Sequence, residues 1–218
     1  MNVQDIMTRV KRTFGDEAGV QITDADIFRW INDGQREIAV QNDALQTKGT
    51  LTSVAGQQAY TLPADLLTLQ SIWFAGFLVN PKSWQQAEED IIALGTPNIL
   101  QQGQPTFYWV WAGQVNFYPV PSDSVSSIII FYNRAPVQVS TSLDNLDLGV
   151  TYHNAILQYV LQQAYELDED WTASTAKQTQ FENSLKDLSE NETWNGRRSY
   201  PIITVLPEDQ LIEGYYAG

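Results

Sequence analysis

His153 is the only histidine in 218 residues and there is no cysteine. Any Ser-His-Asp relay or imidazole metal site must therefore be built around one ring. It stands beside Tyr152 at the start of a helical pattern, where a single histidine reads as a packed or surface residue. Without thiols there is no disulfide scaffold, thiolate nucleophile or zinc-thiolate site. Asp144-Asn145-x-Asp147 lacks the regular alternation, central glycine and closing glutamate of a calcium loop, so these acids read as caps where a helix begins. Glu88, Glu89 and Asp90 are consecutive, and consecutive carboxylates on a helix diverge rather than converge on one bond. Lys48-Gly49-Thr50 lacks the upstream glycine of a phosphate loop. No catalytic, cofactor or metal residue is nominated, and the expectation is a protein that is not an enzyme.

Two other groups of residues fit binding. The aromatics Tyr108, Trp109, Trp111, Phe117, Tyr118, Phe131 and Tyr132 alternate along strand-like runs. Such alternation builds a core or a subunit contact more often than a sugar platform, so Trp109 and Trp111 are candidate partner contacts. A glycan- or receptor-binding tail module is the alternative reading of the same rings. The second group is residues 197–218, where Ile202, Ile203, Val205, Leu206, Leu211, Ile212, Tyr215 and Tyr216 follow the last helical pattern without a helical period of their own. Pro201 and Pro207 fix φ and remove donors, so the segment reads as an extended docking tail whose apolar runs need a neighbour.

Composition narrows the classes. Hydrophobic residues make up 43% and aromatics 11%, enough for a substantial core. Twelve basic against 26 acidic residues give a formal charge of -14, which repels phosphate backbones; tight nucleic-acid binding is not expected, whereas DNA could pass such a surface without sticking. No apolar run reaches the roughly 18–20 residues of a membrane span, and the opening MNVQDIMTRV lacks a signal-peptide layout, so folding in the cytoplasm is expected.

The elements that must carry these residues follow from periodicity. Val3, Ile6, Met7, Val10 and Phe14 form one helical stripe, stopped by Gly15. A second helix starts at the Thr23-x-x-Asp26 capping pattern and buries Ile27, Trp30, Ile31, Gly34 and Ile38, with Gly34 marking a close crossing, against the first helix in this reading. From Thr47 the period shortens, predicting strands around Leu51, Tyr60 and the run 66–79, then a short helix over 84–94. Residues 107–111 and 115–118 flank an Ala112-Gly113 turn, and 128–132 predict a further strand. Helical spacing returns at Tyr152, Ile156, Tyr159, Val160, Ala164 and Leu167, and again at Ala173, Ala176, Phe181, Leu185 and Leu188. The expected fold is α+β: a discontinuous four-helix bundle (1–46 and 144–196), a β-rich insertion (47–143) and the extended tail 197–218.

Four stretches carry a family likeness: VQDIMTRVKRTFGDE, ITDADIFRWINDGQREIA, the Leu-Pro-x-Asp segment of YTLPADLLTLQSIWF, and QPTFYWVWAGQVNFYPVPSDSVSSIIIFYNRAP, with YHNAILQYVLQQAYELDEDW completing the order. Together they resemble the bacteriophage head-to-tail adaptor (connector, neck) family. The resemblance implies a structural virion protein, assembled in the host cytoplasm, whose copies form a dodecameric ring beneath the portal protein. It further implies a central channel for DNA, contacts with other neck or tail proteins, no cofactor, and a C-terminal segment that extends along the portal and orders on docking.

Overall fold

The computed structural model describes residues 2–93 and 101–194 and is α+β. Its helices are α1 (Val3–Phe14), α2 (Asp24–Asn42), α3 (Trp84–Ala93), α4 (His153–Leu167) and α5 (Trp171–Trp194). Its strands are β1 (Gln46–Thr52), β2 (Ala59–Thr61), β3 (Leu66–Phe74), β4 (Phe77–Pro81), β5 (Gln102–Gly103), β6 (Phe107–Trp111), β7 (Gln114–Tyr118), β8 (Val120–Pro121) and β9 (Ser127–Arg134). No helix among the described residues is long and apolar enough to cross a membrane.

Local chemistry sets the helix ends. Asn2 caps α1 by accepting from the Asp5 amide at 2.9 Å while the Asp5 carboxylate accepts from the Asn2 amide, and Gly15 closes the helix at φ 82°. Thr23 caps α2 as its pattern predicts, accepting from the Asp26 amide at 3.2 Å. Between these helices the Asp16 carboxylate accepts the amides of Val20, Gln21 and Ile22, which turns the chain and delivers Ile22 into the core.

α1, α2, α4 and α5 bury residues in one apolar cluster, joined by Val139, Leu146 and Leu148 from the segment that returns from the sheet. α4 is central to it and touches the other three, so its buried face is broad: Leu157 and Leu161 are buried in addition to Ile156 and Val160. Leu167, predicted on this stripe, is the last residue of α4 and is 52% exposed. On α5 the buried stripe is Ser174, Phe181 and Leu185; Ala176, two residues after Ser174 and so on a different face, is exposed, while the Ser174 hydroxyl donates to Glu166. Gly34 does make a close crossing, but with α4: a Cβ at that position would stand 2.9 Å from Tyr159 Cδ1.

Seven strands form one sheet in the order β1-β9-β3-β4-β6-β7-β2, and β5 pairs with β8. All neighbours in the large sheet are antiparallel except β4 and β6, joined by the crossover helix α3. The run 66–79 is not one strand. Ala75 and Gly76, at φ 49° and 85°, turn it into the β3-β4 hairpin, the same device as Ala112-Gly113 between β6 and β7. Phe74 of β3 meets Phe117 of β7 at 6.0 Å although two strands lie between them, so the sheet curls over its own core. That core holds Tyr60, Ile72, Val79, Tyr108, Ile128, Ile130 and Tyr132 as well.

Candidate assembly surface

Arg134, at the end of β9, is where the sheet is fastened to the helices. Its guanidinium grips the Asp147 carboxylate through two bonds, at 2.5 and 2.8 Å, and Asp147 also accepts from the Val137 amide. The Arg134 fork holds the Asp147 carboxyl below the usual carboxylate range, and Asp147 in turn raises Arg134. The Asp147 amide donates to Gln35 of α2. Asn133, fully buried, donates to the Ala39 carbonyl of α2 and accepts from the Leu45 amide. Asn32 completes the joint, donating to and accepting from the Val139 backbone at 3.0 and 2.8 Å as a neighbouring strand would. Asp144 accepts the Ser140 and Thr141 amides, which hold its carboxyl below the ordinary range. Both acids thus brace loops rather than cap α4, because the backbone they serve lies upstream of that helix.

The other groups weighed for chemistry are placed as follows. His153 is buried, its Nε2 sharing a hydrogen bond with the Leu148 carbonyl at 3.2 Å, and burial lowers its pKa. Asp90 pairs with Lys82, while Glu88 and Glu89 are exposed on the same helix. Asp123 accepts from the Ser53 and Ser126 hydroxyls and the Ser126 amide, which together hold it far below the ordinary carboxylate range and tie the loop after β1 to the start of β9. Among the described residues no group of acidic and imidazole side chains could hold a metal ion.

The aromatics divide sharply. Tyr108, Phe117, Tyr118 and Tyr132 are core, and Trp109 is 4% exposed beneath α3, beside Ala87 and Phe107. Trp111, on the same strand face two residues on, lies beyond the helix and is 63% exposed, with Trp84 of α3 6.0 Å away and itself partly exposed. Of the two tryptophans predicted as partner contacts, only Trp111 presents its ring to solvent. Ile202, Ile203, Val205, Leu206, Leu211, Ile212, Tyr215 and Tyr216 fall outside the described residues.

One surface escaped the sequence reading. β9 is apolar on both faces: Ile128, Ile130 and Tyr132 enter the core, while Ile129 and Phe131 point the other way and are half-buried. The cross-strand register sets Ile129 beside Trp73 of β3, and Trp73 beside Leu78 of β4, with Trp73 and Phe131 rings edge to face at 6.4 Å. The unbroken run Ile128-Ile129-Ile130-Phe131-Tyr132 was the available signal, since a strand facing water on one side alternates.

The fold and this surface define a class first: an α+β protein whose most developed features are a stiff joint and exposed apolar faces suited to contact with other chains. A family model described as SU10 adaptor protein matches residues 1–202, and the chain belongs to that family of phage adaptor proteins. No curated protein matches it.

Proposed function

We propose that this chain is the head-to-tail adaptor of a phage virion, copies of which form a ring beneath the portal, join capsid to tail and leave a channel for DNA. The family match across residues 1–202 carries the reading. The shared core of α1, α2, α4 and α5 supports the finer proposal of a discontinuous four-helix bundle as the ring's repeating unit, twelve to a ring. The charge of -14 suits a wall that does not hold DNA. On this reading the chain works by contact and performs no reaction, and the host cytoplasm is where it is made and assembled. Residues 197–218, with their eight apolar side chains between Ile202 and Tyr216, gain order from a neighbouring molecule of the neck, and Trp111 contacts another copy or the next tail component. Native mass measurement of the chain alone and mixed with its portal tests this directly. A defined multimer on the portal is expected; failure to bind the portal would refute the reading.

A further inference from the structure

Among the described residues, the outer face of β1, β9, β3 and β4 is a sheet surface without a second layer. Two neighbours frame it. α3 covers the same side of the sheet farther along, over Phe107 and Trp109, and α2 covers its other end, at Asn133. Between them lie Ile129, Phe131, Trp73 and Leu78, the last 57% exposed, and no helix crosses them among the described residues. A sheet with apolar residues on both faces gains by being covered on both. The surface also stands apart electrically. β1, β9, β3 and β4 contain no aspartate or glutamate, in a chain with 26 of them, and Lys48 is exposed at the edge of the face.

The chain contains a matching occupant. Residues 201–216 hold the eight apolar side chains discussed above together with Glu208, Asp209 and Glu213 and no base, so apolar content meets apolar content and acid meets Lys48. The segment also starts from the right place. Gln21, just before α2, bonds Asp168 at 2.7 Å, and Asn42, at the end of α2, bonds the Leu185 carbonyl at 3.0 Å; α5 therefore runs alongside α2 in the same direction, toward the sheet. From Leu185 to Trp194 it continues for a further stretch of about 13 Å at 1.5 Å per residue. α5 thus ends on the sheet side of the helical layer, and 24 residues of sequence follow Trp194.

We propose that residues 201–216 of one copy lie across the outer face of β1, β9, β3 and β4 of the next copy. This rests on the reading of the protein as a ring-forming adaptor. Strap and face are different surfaces of the same chain, so the contact is head-to-tail, the kind that repeats around a rotation axis and closes a ring. A face free of carboxylates is also where two copies, each at -14, meet with least repulsion.

The cysteine-free sequence makes the test clean. Full-length chains carrying Thr50→Cys alone and Val205→Cys alone are mixed, with and without portal, and treated with a short bis-maleimide. The expected product is a cross-linked pair containing one chain of each kind, in at least the portal-loaded sample, and its loss when Phe131→Glu, or the more exposed Leu78→Glu, is added to the Thr50→Cys chain. Unchanged circular dichroism and melting of the Leu78→Glu chain show that the loss is not misfolding. The proposal is overturned if no mixed pair exceeds the single-variant background. It is equally overturned if a Thr50→Cys/Val205→Cys double variant links only within one molecule, or if both face variants leave the mixed pair intact. If the mixed pair is missing while deletion of 197–218 still abolishes joining to the portal, the adaptor reading stands and this contact alone falls.

Discussion

Gly34→Ala tests the tightest helix contact in the protein. The new Cβ would sit 2.9 Å from Tyr159 Cδ1 and 3.2 Å from its Cγ, against a comfortable carbon separation of roughly 3.5–4.0 Å. Tyr159 cannot simply swing away, because its ring is braced edge to face by Phe181 at 5.4 Å. Forcing an extra methyl into a packed contact costs about 1–3 kcal/mol, whereas alanine gains about 1 kcal/mol over glycine in helix propensity. The net expectation is a loss of about 0–2 kcal/mol. In a Tyr159→Ala background only the Tyr159 Cβ remains, at an ordinary 3.5 Å, and the same substitution should stabilise by about 1 kcal/mol. Urea unfolding followed by circular dichroism on the four proteins of this double-mutant cycle gives a coupling of about 1–3 kcal/mol if the geometry is right. Equal stabilisation by Gly34→Ala in both backgrounds would refute the packing argument.

Further expectations concern the joint, the aromatics, the pH response and the tail. Arg134→Ala leaves a largely buried Asp147 without its partner and should cost about 2–4 kcal/mol, read as a lower urea midpoint. Trp109→Ala should cost about 3–5 kcal/mol in the same assay, whereas Trp111→Ala should change stability by less than about 0.5 kcal/mol while weakening association with neck proteins. His153 is held neutral in the fold, so below about its ordinary pKa of 6.5 the unfolded chain takes up the extra proton and stability falls with acid. Asp16, Asp144 and Asp147 have lowered values, so their contribution is present above the ordinary value of 3.8 and is lost as pH falls below it. A melting-temperature series from pH 8 to 3 should therefore decline in two stages, and His153→Gln should remove the upper one. Deleting 197–218 should leave the circular dichroism of the helices and sheet intact but reduce binding to portal or neck particles; unchanged binding would contradict the docking role.

Helices were legible because their signals are local. The Val3-to-Val10 stripe, the Thr23 cap and the Gly15 stop each involve residues within a turn or two, and each is found where expected. The partner of Gly34 was not legible, since a glycine on a buried face announces a close approach but not which helix approaches. The same limit hid the sheet order: β9 enters between β1 and β3, pairings set by contacts far apart in sequence. Ala75-Gly76 was missed because alanine is a poor advertisement for a positive-φ turn, and the apolar run reads straight through it. The fastening residues Asn32, Asn133, Arg134 and Asp147 carry no motif, because each acts through a backbone group or charge that only folding brings near.

The bond set around Arg134 and Asn133 has a bearing on geometry at larger scale. Oil-like contacts let two layers slide, whereas forked and paired hydrogen bonds tolerate little rotation. In a closed circle of identical units, a tilt error within one unit recurs in all of them and accumulates into a gap or an overlap. On the ring-forming reading proposed above, a joint locked by direction-sensitive bonds would act as a protractor, setting the angle at which each unit hands over to the next.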